Sequence, residues 1–120
     1  MSTRIGRRGE DMAARHLQRL GYRILERNVR GGRGELDLVA LKGDLLVFIE
    51  VKAHRNRESA LLAMDEDKCA RIVSAAKAWL SRHPQYAALQ CRFDLIMLTP
   101  MEGWRTWFGP HVEHIKDIIR

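Results

Sequence analysis

The stretch LLVFIEVK at residues 45–52 constrains this chain most, because an uninterrupted apolar run ends there in a carboxylate and an ammonium. Five apolar residues in succession are typical of a short strand that is buried on both faces. Glu50 and Lys52 follow, and because only Val51 separates them they project from the same face of the strand. Burying such charges without partners costs on the order of several kcal/mol each. Either the fold compensates them, or the strand emerges into solvent and they form a surface ion pair.

The preceding segment, ELDLVAL at 35–41, predicts a second strand that carries acidic side chains. Its alternation places Glu35, Asp37 and Val39 on one face and Leu36, Leu38 and Ala40 on the other. The tight turn KGD at 42–44 makes the two strands antiparallel neighbours. Asp37 is therefore expected opposite the region of Glu50, within about one register step.

Carboxylates gathered at one end of a hairpin are suited to a divalent cation. Mg²⁺ is typically held by one or two carboxylates, with waters and a substrate phosphate completing its coordination. Lys52 would then hold or help to deprotonate an attacking water, or neutralise charge on the phosphate in the transition state. The hairpin thus predicts a site for Mg²⁺ or Mn²⁺ that acts on a phosphodiester, with the surface ion pair as the alternative.

The rest of the chain predicts helices on either side of these strands. The further predicted elements are a helix over 7–20, a strand over 22–28, a glycine-rich turn at 31–34, a helix from Asp65 to His83, a strand over 91–98, a short edge strand RTWF at 105–108 and a terminal helix over 111–119. The order α-β-β-β-α-β argues for a mixed sheet in an α/β sandwich. No linker or repeat interrupts it, so residues 1–120 are predicted to form a single domain.

The first predicted helix separates an apolar side from a basic side. Ala13, Ala14, Leu17 and Leu20 recur at helical spacing, and Glu10 projects from the same side as these apolar residues. The opposite side carries three arginines, at positions Arg8, Arg15 and Arg19.

The excess of positive over negative charge lies in the first quarter of the chain. The net charge is +6, and residues 1–34 account for all of it, with nine arginines and three acids. Because the arginine fork matches phosphate oxygens, nucleic acid is the natural partner. The alternative is a solvated basic face without a dedicated ligand. Arg30 and Arg33, in the glycine-rich turn, are open to both interpretations.

Other features argue against a membrane or secreted protein. The longest strongly apolar run, residues 45–49, is far shorter than the roughly 20 residues of a membrane span. The basic N-terminus is not followed by the apolar segment of a signal peptide. Cys69 and Cys91 match no metal-ligand spacing and are expected to be buried thiols in a reducing cytoplasm.

Three motifs together resemble a known group of enzymes. GRRGEDMA at 6–13, GELDLVA at 34–40 and FIEVK at 48–52 resemble the PD-(D/E)XK nuclease superfamily. More closely, the chain resembles the small YraN-like family, which is itself similar to archaeal Holliday-junction resolvases. The resemblance implies a restriction-endonuclease-like fold and a metal-dependent DNA endonuclease, with branched or structured DNA favoured. Resolvase-like relatives also suggest a homodimer.

The resemblance assigns roles to individual residues. Asp37 and Glu50 would be the metal-binding carboxylates, Lys52 the catalytic lysine and Glu10 the helix-borne acid that assists at the metal. Glu35 would support the metal ligands. Lys68 would correspond to a polar residue that some members place near the site on the following helix, although a solvated Lys68 is the more ordinary interpretation. The family commonly has an arginine two residues after the motif lysine, whereas this chain has His54 followed by Arg55, a flank that could contact substrate.

Two functional hypotheses follow from the sequence. The first is a Mg²⁺-dependent endonuclease that grips DNA through its arginines. The second is a non-catalytic protein with the same fold that binds nucleic acid or a DNA-processing partner.

A few remaining residues carry structural predictions. Trp79 is expected in the core, and Trp104 and Trp107 in edge-strand packing. His111 and His114 are expected on the surface of the terminal helix. Asp94 would either support the site or pair with an arginine.

Overall fold

The computed structural model describes residues 4–119. Its helices and strands follow the chain as α1 (Arg4–Arg19), β1 (Arg23–Gly31), β2 (Gly34–Lys42), β3 (Leu45–Ala53), α2 (Arg57–Leu62), α3 (Glu66–Arg82), β4 (Gln90–Thr99) and β5 (His111–Ile115), with short 3₁₀ segments at Pro84–Tyr86 and Gly103–Phe108. Within the described residues, no helix combines the length and the apolar character that crossing a membrane requires.

The five strands form one mixed sheet in the order β1-β2-β3-β4-β5. All neighbours are antiparallel except β3 and β4, which run parallel. The predicted mixed α/β sheet and its antiparallel β1-β2-β3 meander are therefore confirmed. The first two turns are two residues long, and Gly32 and Gly43 supply the positive φ angles, +55° and +59°, that such hairpins require.

Helices cover both faces of the sheet, which is why β3 is apolar on both. On one face α1 packs through Ala13, Ala14 and Leu17 against residues that include Leu38, Val47, Ile49 and Ile96. On the other face α3 packs through Ile72, Ala75, Ala76 and Trp79 against Val39, Leu46 and Phe48. Trp79 is 1% exposed, so its predicted place in the core is confirmed. Each large side chain buried in this way contributes roughly 1.5–3 kcal/mol.

Helix α3 begins where the sequence predicts. Asp65 accepts a hydrogen bond from the Lys68 backbone N–H at 2.8 Å, which caps the helix and fixes its first turn. The short helix α2 was not expected; it is capped by Asn56, whose side chain accepts from the Ser59 N–H. The helix is only six residues long, too short to show a periodic apolar pattern.

The predicted strand over 91–98 is confirmed as β4, but the two predictions for the segment after it are wrong. RTWF is not an edge strand but part of the 3₁₀ segment Gly103–Phe108, in which Trp104 and Trp107 are 70% and 89% exposed. The predicted helix over 111–119 is instead the edge strand β5, which pairs with β4. Because β4 would otherwise present unpaired main-chain groups at the sheet edge, pairing outweighs the weak helical pattern of this segment.

Strand β4 carries an ion-pair network around the buried carboxylate of Asp94. Asp94 accepts hydrogen bonds from the Arg92 guanidinium at 2.8 Å and from the Asp117 N–H at 3.0 Å. His114 Nε2 donates to the same carboxylate at 2.7 Å, so His114 is buried rather than on a helix surface. Burial alone would raise the pKa of Asp94, but the bonds from His114 and Arg92 hold that pKa at about 2.

This network predicts a loss of stability in acid. The carboxyl pKa lies below its ordinary value of 3.8, so the ionised form stabilises the fold above about pH 4 and that contribution disappears as the pH falls towards 2. Asp94→Asn leaves Arg92 without its partner, and we expect it to lower the free energy of unfolding by about 3–5 kcal/mol at neutral pH. Urea unfolding of both proteins measures this.

The matched control is Asp44→Asn, in the exposed β2–β3 turn, which should leave the free energy of unfolding within about 0.5 kcal/mol of the wild type. An Asp94→Asn protein as stable as this control would contradict the network.

Candidate active site

The pairing between β2 and β3 stops before the strands end. Leu38 and Ile49 form their last main-chain pair, whereas β3 stays paired with β4 through its final residue. Beyond that point the Val51 N–H donates to Asp37 Oδ2 at 2.7 Å instead of to a backbone carbonyl. The two strands therefore separate at a gap that a carboxylate occupies.

The alternation of β2 also breaks at this gap. Leu36 packs in the α3-side core with Val39, while Leu38 packs in the α1-side core. The predicted common face for Leu36 and Leu38 is therefore wrong, because the two side chains pack in cores on opposite sides of the sheet.

Asp37 and Glu50 face each other across the gap, as the sequence predicts. They lie one register step beyond the last pair, and Glu50 is buried while Asp37 is half-buried. Burial raises the pKa of Asp37 to about 7, and the neighbouring Glu50 carboxylate adds to the shift, although the Val51 N–H opposes it. Two carboxylates in one poorly solvated place thus disfavour double ionisation.

Two lysines compensate the buried charge of Glu50. Its Oε1 lies 3.1 Å from Lys68 Nζ and 3.5 Å from Lys52 Nζ, and the Glu50 side chain is only 6% exposed. The solvated Lys68 that the sequence favoured is wrong, because the Asp65 cap places this residue in the first turn of α3, above β3. The charges that end LLVFIEVK are therefore buried together rather than solvated separately.

Glu10 approaches the gap from α1. It is 7% exposed, as its place on the apolar side of the helix predicts, and its charge contributes to the raised pKa of Asp37. With its amide oriented to donate, Asn28 Nδ2 lies 2.8 Å and 3.1 Å from the two Glu10 oxygens. Burial raises the pKa of Glu10, although the Asn28 amide and Arg27 oppose the shift.

Asn28 is a site residue that the sequence reasoning missed. The register of β1 and β2 places it opposite Asp37, and its φ angle of +53° lies in the left-handed region. Asparagine tolerates that region better than most residues and is depleted in strands. An asparagine within the strand-like YRILERN segment was the signal that could have pointed to it.

The donor set fits a small hard cation with few protein ligands. In the described part of the chain, no three histidine, cysteine, aspartate or glutamate side chains come together closely enough to hold a metal ion. Asp37 and Glu50 are a pair of oxygen donors, which is the number that Mg²⁺ or Mn²⁺ sites commonly use alongside water and phosphate. The part predicted for Glu10 at the metal stays a prediction, since its carboxylate is engaged by Asn28.

The basic residues predicted to bind nucleic acid are exposed, and some of them line a pocket. Arg8, Arg15, Arg19 and Arg55 are exposed. A pocket of about 550 Å³ lies between the β1–β2 turn and α3, and its lining includes Arg30, Arg33, Lys68 and Arg71. Arg71 was not predicted as a site residue. Glu35 is exposed, and its carboxylate lies 3.5 Å from Arg30 Nε rather than in the gap.

Comparison with known proteins places the chain in a family. Residues 9–98 match the model of the uncharacterised protein family UPF0102. The chain belongs to the UPF0102 family. The matched region contains the four residues predicted to carry the chemistry, Glu10, Asp37, Glu50 and Lys52.

Individual UPF0102 relatives cover most of both chains. A UPF0102 protein from Rhodopseudomonas palustris is 47% identical over 97 residues, which are 81% of this chain and 75% of the relative. One from Mesorhizobium japonicum is 46% identical over 111 residues, 92% of this chain and 85% of the relative. A third, from Chelativorans, is 44% identical over 112 residues, 93% and 86% of the two chains.

The contact between Asn28 and Glu10 predicts a specific pattern of stability. Asn28→Asp keeps the side-chain shape but sets a second carboxylate against buried Glu10, and we expect it to lower the free energy of unfolding by about 1–3 kcal/mol. Adding Glu10→Gln restores a donor to the pair and should recover most of that loss. Urea unfolding of the wild type, both single variants and the double variant gives the coupling energy. Additive effects would show that the two side chains do not interact.

The raised pKa of Asp37 predicts that the acidic gap destabilises the metal-free protein at alkaline pH. Between about pH 4 and 7 the folded state retains a proton that the unfolded state has lost, so stability falls as the pH rises through this range. Asp37→Asn cannot ionise and can still accept from the Val51 N–H. We expect its free energy of unfolding in EDTA to exceed that of the wild type by about 1–3 kcal/mol near pH 8, and to differ little from it near pH 4.

Asp44→Asn is again the matched control, because its side chain lies in an exposed turn. An Asp37→Asn protein that is no more stable than the wild type at the higher pH would show that the two carboxylates do not repel.

Proposed function

We propose that this chain is a metal-dependent endonuclease that hydrolyses phosphodiester bonds in DNA. The observation that supports the proposal best is the meeting of Asp37, Glu50 and Lys52 where β2 and β3 separate. An acidic pair with an adjacent ammonium is suited to binding a cation and a phosphate together. Purely structural roles would be served better by apolar residues, since buried ion pairs add little net stability.

The order of the elements supports a PD-(D/E)XK fold. A helix bearing Glu10 precedes three antiparallel strands, and the acids lie on the second and third of these. A further helix then leads to a fourth strand parallel to the third. This arrangement is the one that the resemblance to restriction-endonuclease-like proteins implies, with α2 and β5 as additions.

The chain's own residues would divide the work in hydrolysis. Asp37 and Glu50 would hold Mg²⁺ or Mn²⁺, which when bound polarises the phosphate and activates water. Lys52 Nζ lies 3.5 Å from Glu50 Oε1 and would donate hydrogen bonds to the water or the phosphate oxygens. In the net reaction the oxygen of water joins the phosphorus, the bond to the leaving oxygen breaks, and that oxygen receives a proton from water.

The arginines supply the grip on the substrate. The charge of the chain is +6, and Arg8, Arg15 and Arg19 are exposed on α1, the helix that carries Glu10. Arg30 and Arg33 line the basic pocket that includes Lys68. Such contacts bind a phosphate backbone without regard to sequence. The preference for branched DNA rests on the resemblance to resolvases.

Assembly and location complete the proposal. Two symmetric cuts in a junction need two sites, so a homodimer suits this substrate. Cys69 and Cys91 are both free and half-buried, which suits the reducing cytoplasm.

One observation favours a non-catalytic nucleic-acid-binding protein instead. Glu50 is already neutralised by Lys52 and Lys68, so the fold does not need a cation to bury it. In this second function the basic face would bind nucleic acid, or the fold would dock on a DNA-processing protein, without turnover.

Cleavage assays test the first function. Duplex, single-stranded, flap and four-way-junction DNA would be incubated with the wild type and Mn²⁺. We expect at least one substrate to be cut, and Asp37→Asn or Lys52→Ala to slow cutting by about 10²-fold or more, because the first removes a ligand of the metal and the second removes the ammonium beside the reacting phosphate. Lys77→Ala, an exposed lysine on α3, should cut as the wild type does. Equal rates in all four proteins would refute the site.

A thermal melt separates the two functions. Mn²⁺ at about 100 times its dissociation constant should stabilise the wild type by about 2.7 kcal/mol and leave Asp37→Asn unchanged. A protein that binds DNA but neither melts higher with Mn²⁺ nor cuts any substrate would be the non-catalytic alternative.

A further inference from the structure

A second, mostly apolar pocket lies between the start of α1 and the ends of β3 and β4. Its volume is about 640 Å³, and its apolar lining includes Gly9, Met12, Ala53, Leu98, Pro100 and Pro110. Three basic residues, Arg8, His54 and Arg55, also line it. Its volume lies within the range of small-molecule and cofactor sites in proteins.

The pocket is linked to the gap through the start of α1. Gly9 immediately precedes Glu10 on α1, and the charge of Glu10 reaches Asp37 in the gap. Ala53 immediately follows Lys52 on β3, although the two side chains project from opposite faces of the strand. A Cβ at position 9 would lie 2.8 Å from Leu98 Cδ1, so α1 lies close to β4 at the pocket.

The segment of chain that leaves this pocket and returns to it carries exposed aromatic side chains. The chain leaves it at Pro100, passes through the 3₁₀ segment Gly103–Phe108, and returns to it at Gly109. Trp104, Trp107 and Phe108 are 70%, 89% and 74% exposed, and the Arg105 guanidinium lies 5.8 Å from the Trp104 ring centroid. Aromatic rings beside basic groups are the means by which proteins bind single-stranded nucleic acid.

The residues that line the pocket favour the base of a nucleic acid over its phosphate. An apolar lining with arginines at its rim suits a flat base whose phosphates remain outside, in contact with Arg8 and Arg55. A base inside a duplex is stacked and paired, so it could not enter without being extruded. The fit is therefore to a base that is already unpaired.

We propose that this pocket binds an unpaired nucleobase of the strand whose phosphodiester lies in the acidic gap. The placement of that phosphodiester rests on the proposed function, and the pocket adds to it a requirement for single-stranded character next to the cleaved bond. The neighbouring bases of the strand stack on Trp104 and Trp107.

The test fills the pocket without touching the core. Ala53 is exposed at the pocket wall, so Ala53→Phe occupies the cavity, and Ala87→Phe, an exposed alanine that does not line this pocket, is the matched control. The probes are a fluorescent oligothymidylate of about 12 nucleotides, an abasic oligomer of equal length and charge, and a short duplex, all in EDTA. Binding is measured by fluorescence anisotropy.

We expect the wild type and Ala87→Phe to bind oligothymidylate about tenfold more tightly than the abasic oligomer, and Ala53→Phe to lose that preference. Affinity for the duplex and the abasic oligomer should be the same in all three proteins. Equal affinity of the wild type for both single strands, or an unchanged preference in Ala53→Phe, would overturn the proposal.

The same set separates this proposal from the proposed function. A base preference in EDTA, together with no cleavage in the assays with Mn²⁺, would refute the nuclease and leave the pocket standing. Cleavage without a base preference would do the reverse. If sedimentation shows that Ala53→Phe breaks a dimer while the base preference is unchanged, the occupant is an aromatic side chain of a second copy, and the nucleobase assignment is wrong.

Discussion

The burial of the Glu50 carboxylate between Lys52 and Lys68 is the interaction on which the rest of this structure depends. It joins the end of β3 to the first turn of α3, the helix that packs on the sheet through its apolar side. It also leaves Asp37 as the neighbouring acid that cannot ionise freely. The gap therefore holds one carboxylate whose charge is compensated and one whose ionisation is opposed by its neighbour, and a bound cation would relieve that repulsion.

The part of the fold that follows from neighbouring residues could be read from the sequence. The pattern ELDLVAL-KGD-LLVFIEVK predicts two strands, a tight turn and the meeting of Asp37 with Glu50, because register in a short hairpin is set by the turn. The cap at Asp65 and the buried Trp79 follow from the helix periodicity of α3 in the same way. For each of these features the signal lies within one element or across one short turn.

The remainder depends on contacts between distant parts of the chain. Residues 111–115 form a strand because β4 offers an unpaired edge, which no local pattern reveals. Lys68 reaches Glu50 across 18 positions of sequence, and Asn28 meets Glu10 across the same separation. Lysine and asparagine side chains are ordinarily solvated and adopt several conformations. They acquire these partners only when the elements of the fold pack together, so the pattern within one element does not reveal the contacts.

The long connection between the parallel strands β3 and β4 affects the order in which the site is assembled. The two carboxylates meet through a hairpin with a two-residue turn, whereas Lys68 arrives only with the 54–89 connection that leads to β4. A chain emerging from the ribosome therefore brings like charges together before their second cation exists, with Lys52 as the early countercharge. Local contacts form fast and distant ones slowly, so the charge of Glu50 gains its second countercharge only when α3 packs on the sheet.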